Sequence, residues 1–307
     1  MKIELIVLNY NGGDLLLECL PSLEASVKNT KHSARLVILD NGSTDGSDSL
    51  AKSRFPSLEV IFAKENRLLC SYNDYLRASD CDVAVLLNND MKVDIHFIDP
   101  LLKHFQGRDD VFMVTPKCLS WSGDHYEGGI TRFRMNYGIF WASSRYPGHQ
   151  KDIDRTHPTM AAGYGAFDRR KFLQLDGYDD LYLPGRLEDS DLCFRAWRKG
   201  WTLLYEPSSV IYHKGGVAFH KRFGEWGTLR INHRNSFLFV WKNICDPFFL
   251  LTHLFFLPFR LLFALLKGQT EFVAGFFDAI PRLGKALRHR TALASSAVSD
   301  REIFERV

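Results

Sequence analysis

Two groups of oxygen-bearing side chains are the residues of this chain best suited to chemistry. Asn88, Asn89 and Asp90 follow directly on the apolar run 83–87, with no turn glycine between. Carboxylate and amide oxygens are hard ligands that suit Mg²⁺ or Mn²⁺. In open α/β sheets such ligand sites gather at the carboxyl ends of strands. The second group is Glu188, Asp189 and Asp191, opening a stretch where Leu192, Ala196 and Lys199 recur at helical spacing before Gly200. Carboxylates in a first helical turn compensate the helix dipole, at about 0.3–1 kcal/mol each. Asp191 and Arg195, four apart, can also pair across one turn.

The elements that must carry these groups are legible from periodicity. Runs 3–8, 35–39 and 58–62 are largely apolar and partly β-branched, and 83–87 is uninterrupted, as in strands buried on both faces. The first ends in Asn9-Tyr10-Asn11-Gly12-Gly13, the second in Asp40-Asn41-Gly42-Ser43-Thr44-Asp45-Gly46. Amphipathic stretches separate them, one carrying Leu15, Leu16, Cys19, Leu20 and Leu23, another spanning 72–78. Strand, polar loop and helix in alternation predict a doubly wound α/β half, and the repeated Asn/Asp-rich loop ends point to a nucleotide crevice. No GxGxxG or GxxxxGK[ST] occurs, which counts against a dinucleotide fold and a P-loop. Further strands are expected at 111–115, closed by Pro116, and at 203–206 and 210–212.

The 307 residues are enough for one large α/β domain with an appendage. A hydrophobic share of 46%, a charged share of 24% and a net charge of +3 are ordinary, and do not mark a nucleic-acid binder. The six scattered cysteines contain no CxxC pair and read as reduced core residues of a cytosolic protein. No signal-peptide pattern is visible at the start.

LIVLNYNGG, LVILDNGSTDGS, VAVLLNND and LEDSDLCFR occur in an order and spacing that resembles family 2 glycosyltransferases, over roughly residues 3 to 243. The resemblance implies a GT-A fold, a Rossmann-like mixed sheet flanked by helices. It implies a nucleoside diphosphate sugar donor held by Leu8, Tyr10, Asn11, Asp40, Asn66, Asn73, Asn88 and Asn89. Tyr10 could stack on a base and Asp40 accept from a base N–H; alternatively Asp40 only closes a turn. Asp90 matches the metal-binding aspartate of a DXD-type motif, and His213 a histidine that completes the metal or diphosphate site. Asp189 matches the general base, with Glu188 and Asp191 beside it. Gly163, Tyr164 and Trp121 are expected toward the acceptor; the aromatics between 121 and 157 could equally pack a long loop region.

Two departures stand out. The first aspartate of the DXD motif is Asn88, leaving one negative charge, and ENRLLCSYN has Leu68 and Ser71 where glycines are usual. His220, Lys221, Arg222, Arg230, His233 and Arg234 form a basic cluster able to bind diphosphate or to serve as a solvated face. After Asn243 the strongly apolar run 246–268 is interrupted by His253, Pro258 and Arg260; it reads as too short and too polar to span a membrane. With the apolar patch 272–280 and Arg282, Lys285, Arg288 and Arg290, it resembles an interfacial anchor; the alternative is a helical subdomain packed on the core or on a second chain.

The resulting expectation is an inverting, Mg²⁺- or Mn²⁺-dependent enzyme moving sugar from a dTDP- or UDP-sugar to a lipid-linked or polysaccharide acceptor, in the rhamnosyltransferase-like branch. It would sit peripherally on the cytoplasmic face of a membrane. A sugar nucleotidyltransferase and a non-catalytic binding member are the alternatives. The expected divisions are a catalytic domain 1–243 (donor half 1–115, acceptor half 116–243), a helical extension 244–290 and a weakly ordered tail 291–307.

Overall fold

Alternating burial along the apolar runs divides the interior into two cores, one on each face of a central sheet. The computed structural model describes residues 1–56, 58–215, 217–291 and 298–306. The N-terminal half runs β1 (Lys2–Asn9), α1 (Gly13–Asn29), β2 (Ser33–Asp40), α2 (Ser47–Arg54), β3 (Glu59–Phe62), α3 (Ser71–Ala78), β4 (Val83–Asn88). In β4, Ala84 and Leu86 join one core while Val83, Val85 and Leu87 join the other. Its uninterrupted hydrophobicity therefore follows from burial on both faces. β4, β1, β2 and β3 pair in parallel in that order.

The second half contains β5 (Met91–Val93), α4 (Ile98–Leu102), β6 (Val111–Ser120), β7 (Tyr126–Gly128), the hairpin β8 (Arg132–Asn136) and β9 (Ile139–Ser143), and β10 (His157–Pro158). β11 (Gly165–Asp168), α5 (Arg169–Gln174), α6 (Glu188–Arg198) and β12 (Thr202–His213) follow. β11 lies antiparallel between β4 and β6, and the sheet reads β10-β12-β6-β11-β4-β1-β2-β3. This is the mixed GT-A-type sheet that the sequence predicts.

Two strand boundaries differ from expectation for one reason. β6 continues through Pro116 to Ser120, and the two short strands after α6 are a single β12. Pro116 pairs with Glu206 where the β12 register shifts between Glu206 and Val210. A bulge leaves ladder hydrogen bonds unmade, so a residue without an N–H is tolerated there. The 121–157 stretch is no long loop: it contains β7 and the hairpin, whose Phe133 and Phe140 are buried with Phe194 and Phe239. Tyr137 and Trp141 point outward.

The C-terminal helices are α7 (Val217–Asn243), kinked at Gly224 (φ 67°), α8 (Pro247–Leu266), α9 (Thr270–Ala279), α10 (Leu283–Thr291) and α11 (Asp300–Glu305). They pack on α6 and on the β8–β9 hairpin. Arg198 of α6 pairs with Asp300 and donates to the Asn243 carbonyl at 2.9 Å, and Arg290 donates to the Ile244 carbonyl at 2.9 Å. The expected weak order of the tail is thus corrected for 298–306: Ser299 and Glu302 form a capping box, and Phe304 packs on Phe194. Residues 292–297 of that tail, and Gly216, lie outside the described residues.

The expected shortness of the apolar run is corrected too. α8 is one 20-residue helix of mean hydropathy 2.0 running through Pro258, long and apolar enough to cross a membrane. One flank is nevertheless fixed to the protein: buried His253 bonds to the Gly138 carbonyl at 2.6 Å and accepts from Trp241 Nε1 at 3.0 Å. The other flank exposes Leu251, Leu254, Phe255, Phe259, Leu262 and Phe263.

Candidate active site

The carboxyl ends of β1, β2 and β4 converge because these strands are parallel neighbours, and Asn9 ties their loops together. It donates to Asp40 Oδ2 at 2.7 Å, and its own Oδ1 accepts from Asn89 at 2.8 Å. Gly12 packs onto this junction so closely that a Cβ would stand 2.2 Å from Asn9 Oδ1. Asp40 is fully buried, and its carboxylate also accepts from the Gly42 and Ser43 amides and the Ser43 hydroxyl. Turn closure is therefore the role that its hydrogen bonds fill. Tyr10, 44% exposed, and Asn11 stand at the open rim, with Leu8 half-buried beneath.

One of the expected donor-binding amides, Asn73, is committed inside the fold, while Asn66 lies at the surface. Asn73 is buried and clamps Tyr178, accepting from its N–H at 2.9 Å and donating to its carbonyl at 2.8 Å. One backbone residue thus occupies both ends of the amide, and Asn73 holds the Tyr178 turn in place. Asn66 is exposed and accepts from the Leu68 N–H at 3.2 Å. Leu68 has φ 55°, the left-handed region that the usual glycine would favour; that backbone costs a leucine roughly 1–2 kcal/mol, and the Asn41 side chain donates to its carbonyl at 3.3 Å.

At the end of β4, Asp90 Oδ2 lies 3.4 Å from His213 Nε2, because β12 brings His213 opposite Met91 in β5. Asp90 Oδ1 is buried without a hydrogen-bond partner among the described residues. An orphaned carboxylate oxygen beside an imidazole fits a divalent metal. Asn88 is half-buried at the same strand end. Burial opposes a charge on His213, but hydrogen bonding to Asp90 and Cys118 outweighs it and lifts the imidazole to about 10. Trp121 stands close by, with Lys92 Nζ 4.4 Å and Lys214 Nζ 5.0 Å from its ring centre.

The second acidic group reaches the same sheet edge from above. Gly165 pairs with Leu86, so Gly163, two residues earlier in an antiparallel strand, comes level with the end of β4. Asp189 hangs over Gly163: a Cβ on that glycine would stand 3.4 Å from Asp189 Oδ2. Asp189 Oδ1 accepts from the Ser190 N–H at 2.7 Å, while Oδ2 accepts no hydrogen bond among the described residues. Burial pushes the Asp189 carboxyl up, and burial followed by the Asp189 charge pushes Glu188 to about 8. Tyr164, whose hydroxyl neighbours Cys118, continues the wall from Gly163 toward His213. A poorly solvated carboxylate with a free oxygen can take a proton.

Asp191 is corrected out of this group. It is completely enclosed, and accepts from Tyr182 (2.9 Å), Arg195 (2.8 Å), Lys242 (2.8 Å) and Asn243 (2.8 Å). The basic cluster is also split. Arg230 pairs with Asp278 and Arg234 donates to the carbonyls of Tyr182 and Leu183, leaving His220, Lys221 and Arg222 exposed. Sequence reasoning missed Glu127, which meets His213 Nδ1 at 3.2 Å, and Arg186, whose charge lies near Glu188 and Asp189. Neither belongs to a periodic run; for Arg186 the only signal is its position two residues before the acidic group.

A sequence profile described as glycosyl transferase family 2 matches residues 4–175. A Mycobacterium tuberculosis N-acetylglucosaminyl-diphospho-decaprenol L-rhamnosyltransferase is 23% identical over 263 residues, 76% of this chain and 82% of that protein. A polypeptide N-acetylgalactosaminyltransferase of Drosophila melanogaster is 26% identical over 46% of this chain, which spans only 23% of that protein's length. Among solved structures, S. aureus TarS 1–349 in complex with UDP-GlcNAc superposes with a TM-score of 0.58 at 15% identity, covering 95% of this chain and 89% of that one. GalNAc-T7 with UDP, GalNAc and Mn²⁺ gives 0.58 at 19% identity, covering 76% of this chain and 47% of that one. At these identities the structural likenesses establish the fold.

Proposed function

Because the chain belongs to glycosyltransferase family 2, with over half its length matched, we propose that it is an inverting glycosyltransferase using a nucleoside diphosphate sugar. Asp189 is the general base. The observation that carries this reading is the free Asp189 oxygen over Gly163, at the sheet edge where Asp90 and His213 meet. Asp189 takes the proton of the acceptor hydroxyl as that oxygen attacks the anomeric carbon, and no covalent intermediate is needed. Burial keeps the Asp189 carboxylate poorly solvated and so more basic than an exposed aspartate. Tyr10, Asn11 and Leu8 line the donor's nucleoside side, and Gly163, Tyr164 and Trp121 its acceptor side. A Mg²⁺ or Mn²⁺ ion held by Asp90 and His213 would offset negative charge on the leaving diphosphate.

The likeness to a decaprenol-linked rhamnosyltransferase supports a lipid-linked or polysaccharide acceptor and a dTDP- or UDP-sugar donor. The exposed apolar flank of α8 supports attachment to the cytoplasmic face of a membrane. The test is to screen donors for nucleoside diphosphate release with and without Mn²⁺. Release that needs both Mn²⁺ and acceptor is expected; release from no donor, with any acceptor or metal, ends the proposal.

A further inference from the structure

Asp189 is delivered by a turn whose backbone most L-residues avoid. Gly185, Arg186 and Leu187 have φ of 132°, 74° and 68°, immediately before Glu188 and Asp189. Two of the three carry a Cβ, which crowds the carbonyl oxygen in the left-handed region, and Leu187 caps α6 without a side-chain hydrogen bond. Such a turn persists only where its surroundings over-determine it. Asn235 of α7 supplies much of that hold. It is fully buried, and its Nδ2 donates to the carbonyls of Tyr182 at 3.0 Å, Gly185 at 2.7 Å and Arg186 at 2.6 Å. Its two N–H bonds are shared among three acceptors, and neither points elsewhere. Arg234 Nε donates to Asn235 Oδ1 at 2.9 Å, which fixes the end of the amide that faces the turn, and Arg234 Nη2 reaches the Leu183 carbonyl at 2.8 Å. From the other side Arg282, between α9 and α10, donates to the Leu181 and Leu183 carbonyls at 3.0 and 3.1 Å.

We propose that Asn235 is the positioning residue for the general base: with Arg234 and Arg282 it clamps the 181–186 backbone, and so fixes the direction in which the first turn of α6 holds Asp189 over Gly163. The inference rests on Asp189 as base, and it gives α7 a part in transfer although Asn235 is itself enclosed. The link from clamp to base is short. The Leu187 carbonyl accepts the Asp191 N–H at 2.9 Å, which opens the helix, and Asp189 stands between these two residues. Arg186, whose guanidinium lies 4.8 Å from the Phe219 ring centre, takes its direction from the same held peptide. The C-terminal helices are therefore part of the frame of the reaction site, apart from any role at a membrane.

Steady-state transfer by the full chain carrying Asn235→Ala, with donor and acceptor varied in turn, tests this. kcat should fall about 10- to 100-fold, as when a reacting group is displaced by about 1 Å, with KM for the donor within about twofold of wild type. Amide hydrogen exchange in the segment 183–191 should quicken about tenfold, while that of β1 and β4 stays unchanged. Trp241→Phe, also in α7, loses the hydrogen bond to His253 of α8 and leaves the turn alone; it should keep kcat within about twofold. Unchanged kcat in Asn235→Ala, or an equal fall in Trp241→Phe, overturns the proposal. Should Asn235→Ala not fold, the half-buried Arg282 decides through Arg282→Gln: about a threefold fall in kcat at unchanged donor KM is expected, and no fall overturns the proposal. If Asp189→Asn is inactive and Asn235→Ala is not slowed, this inference alone fails. If Asp189→Asn turns over at the wild-type rate, the base assignment fails, and the positioning role falls with it.

Discussion

Two carboxylate groups on the same helix, two residues apart, live in opposite electrostatic worlds. Glu188 and Asp189 have burial and each other, and both are pushed up. Asp191 is more deeply enclosed, yet Lys242 and Arg195 hold it below the ordinary aspartate value, and Lys242 does the same for Asp179. Burial alone therefore does not mark a reactive acid. What separates them is whether the cation bonds the carboxylate: Arg195 and Lys242 donate to Asp191, whereas Arg186 acts on Glu188 and Asp189 through its charge alone. Lys242 arrives from α7 and bonds Asp179 and Asp191 together at 2.7 and 2.8 Å, and His289 of α10 adds 2.7 Å to Asp179. The neutralised pair anchors the helix; the other pair keeps its raised carboxyls.

The largest effect expected is on the reactive side. Asp189→Asn should lower transfer by about 10²–10⁴-fold, the span of general-base catalysis, while nucleotide binding and melting temperature stay near wild type. Wild-type turnover in that variant would erase the distinction. On the structural side Lys242→Met, which removes the cation shared by two buried carboxylates and leaves them only Arg195 and His289, should cost about 3–5 kcal/mol in denaturant unfolding. An unchanged midpoint would mean that the network is ornamental.

pH should separate the two groups by sign. Glu188 binds its proton more tightly folded than unfolded, so its contribution favours folding below about 4.5 and is lost as pH rises toward 8. Asp179 and Asp191, held below 3.8, contribute fully above that value and lose their contribution as pH falls from it through their lower folded values. Glu188→Gln should flatten the stability profile between about 4.5 and 8 and leave acid unfolding in place. The transfer rate itself should climb with pH at values above the ordinary carboxylate range, because Asp189 must be ionised to act. The smallest expected effect tests the outermost layer. Phe255→Ser with Phe259→Ser, both on the exposed flank of α8, should weaken binding to anionic vesicles about tenfold in a sedimentation assay without changing soluble donor turnover.

Much of this architecture was legible beforehand, for reasons that are local. β4 announced itself because a strand buried on both faces must be apolar at every position, and α6 because its period and Gly200, with φ 79°, frame one helix. Even the pairing of Asp191 with Arg195 followed from a spacing of four. The errors fell where partners come from afar. Asn73 looked free until Tyr178 claimed both ends of its amide, and Pro116 looked like a strand end until the β12 bulge excused its missing N–H.

The chain by itself therefore determined the alternation of elements, the loops at strand ends and the family motifs, all properties of neighbours within a few residues. Only the tertiary structure decided which carboxylates are neutralised and which side chains surround His213. A charge takes its meaning from desolvation and from cations that sequence distance does not reveal: Lys242 is 51 positions from Asp191, and Glu127 is 86 from His213.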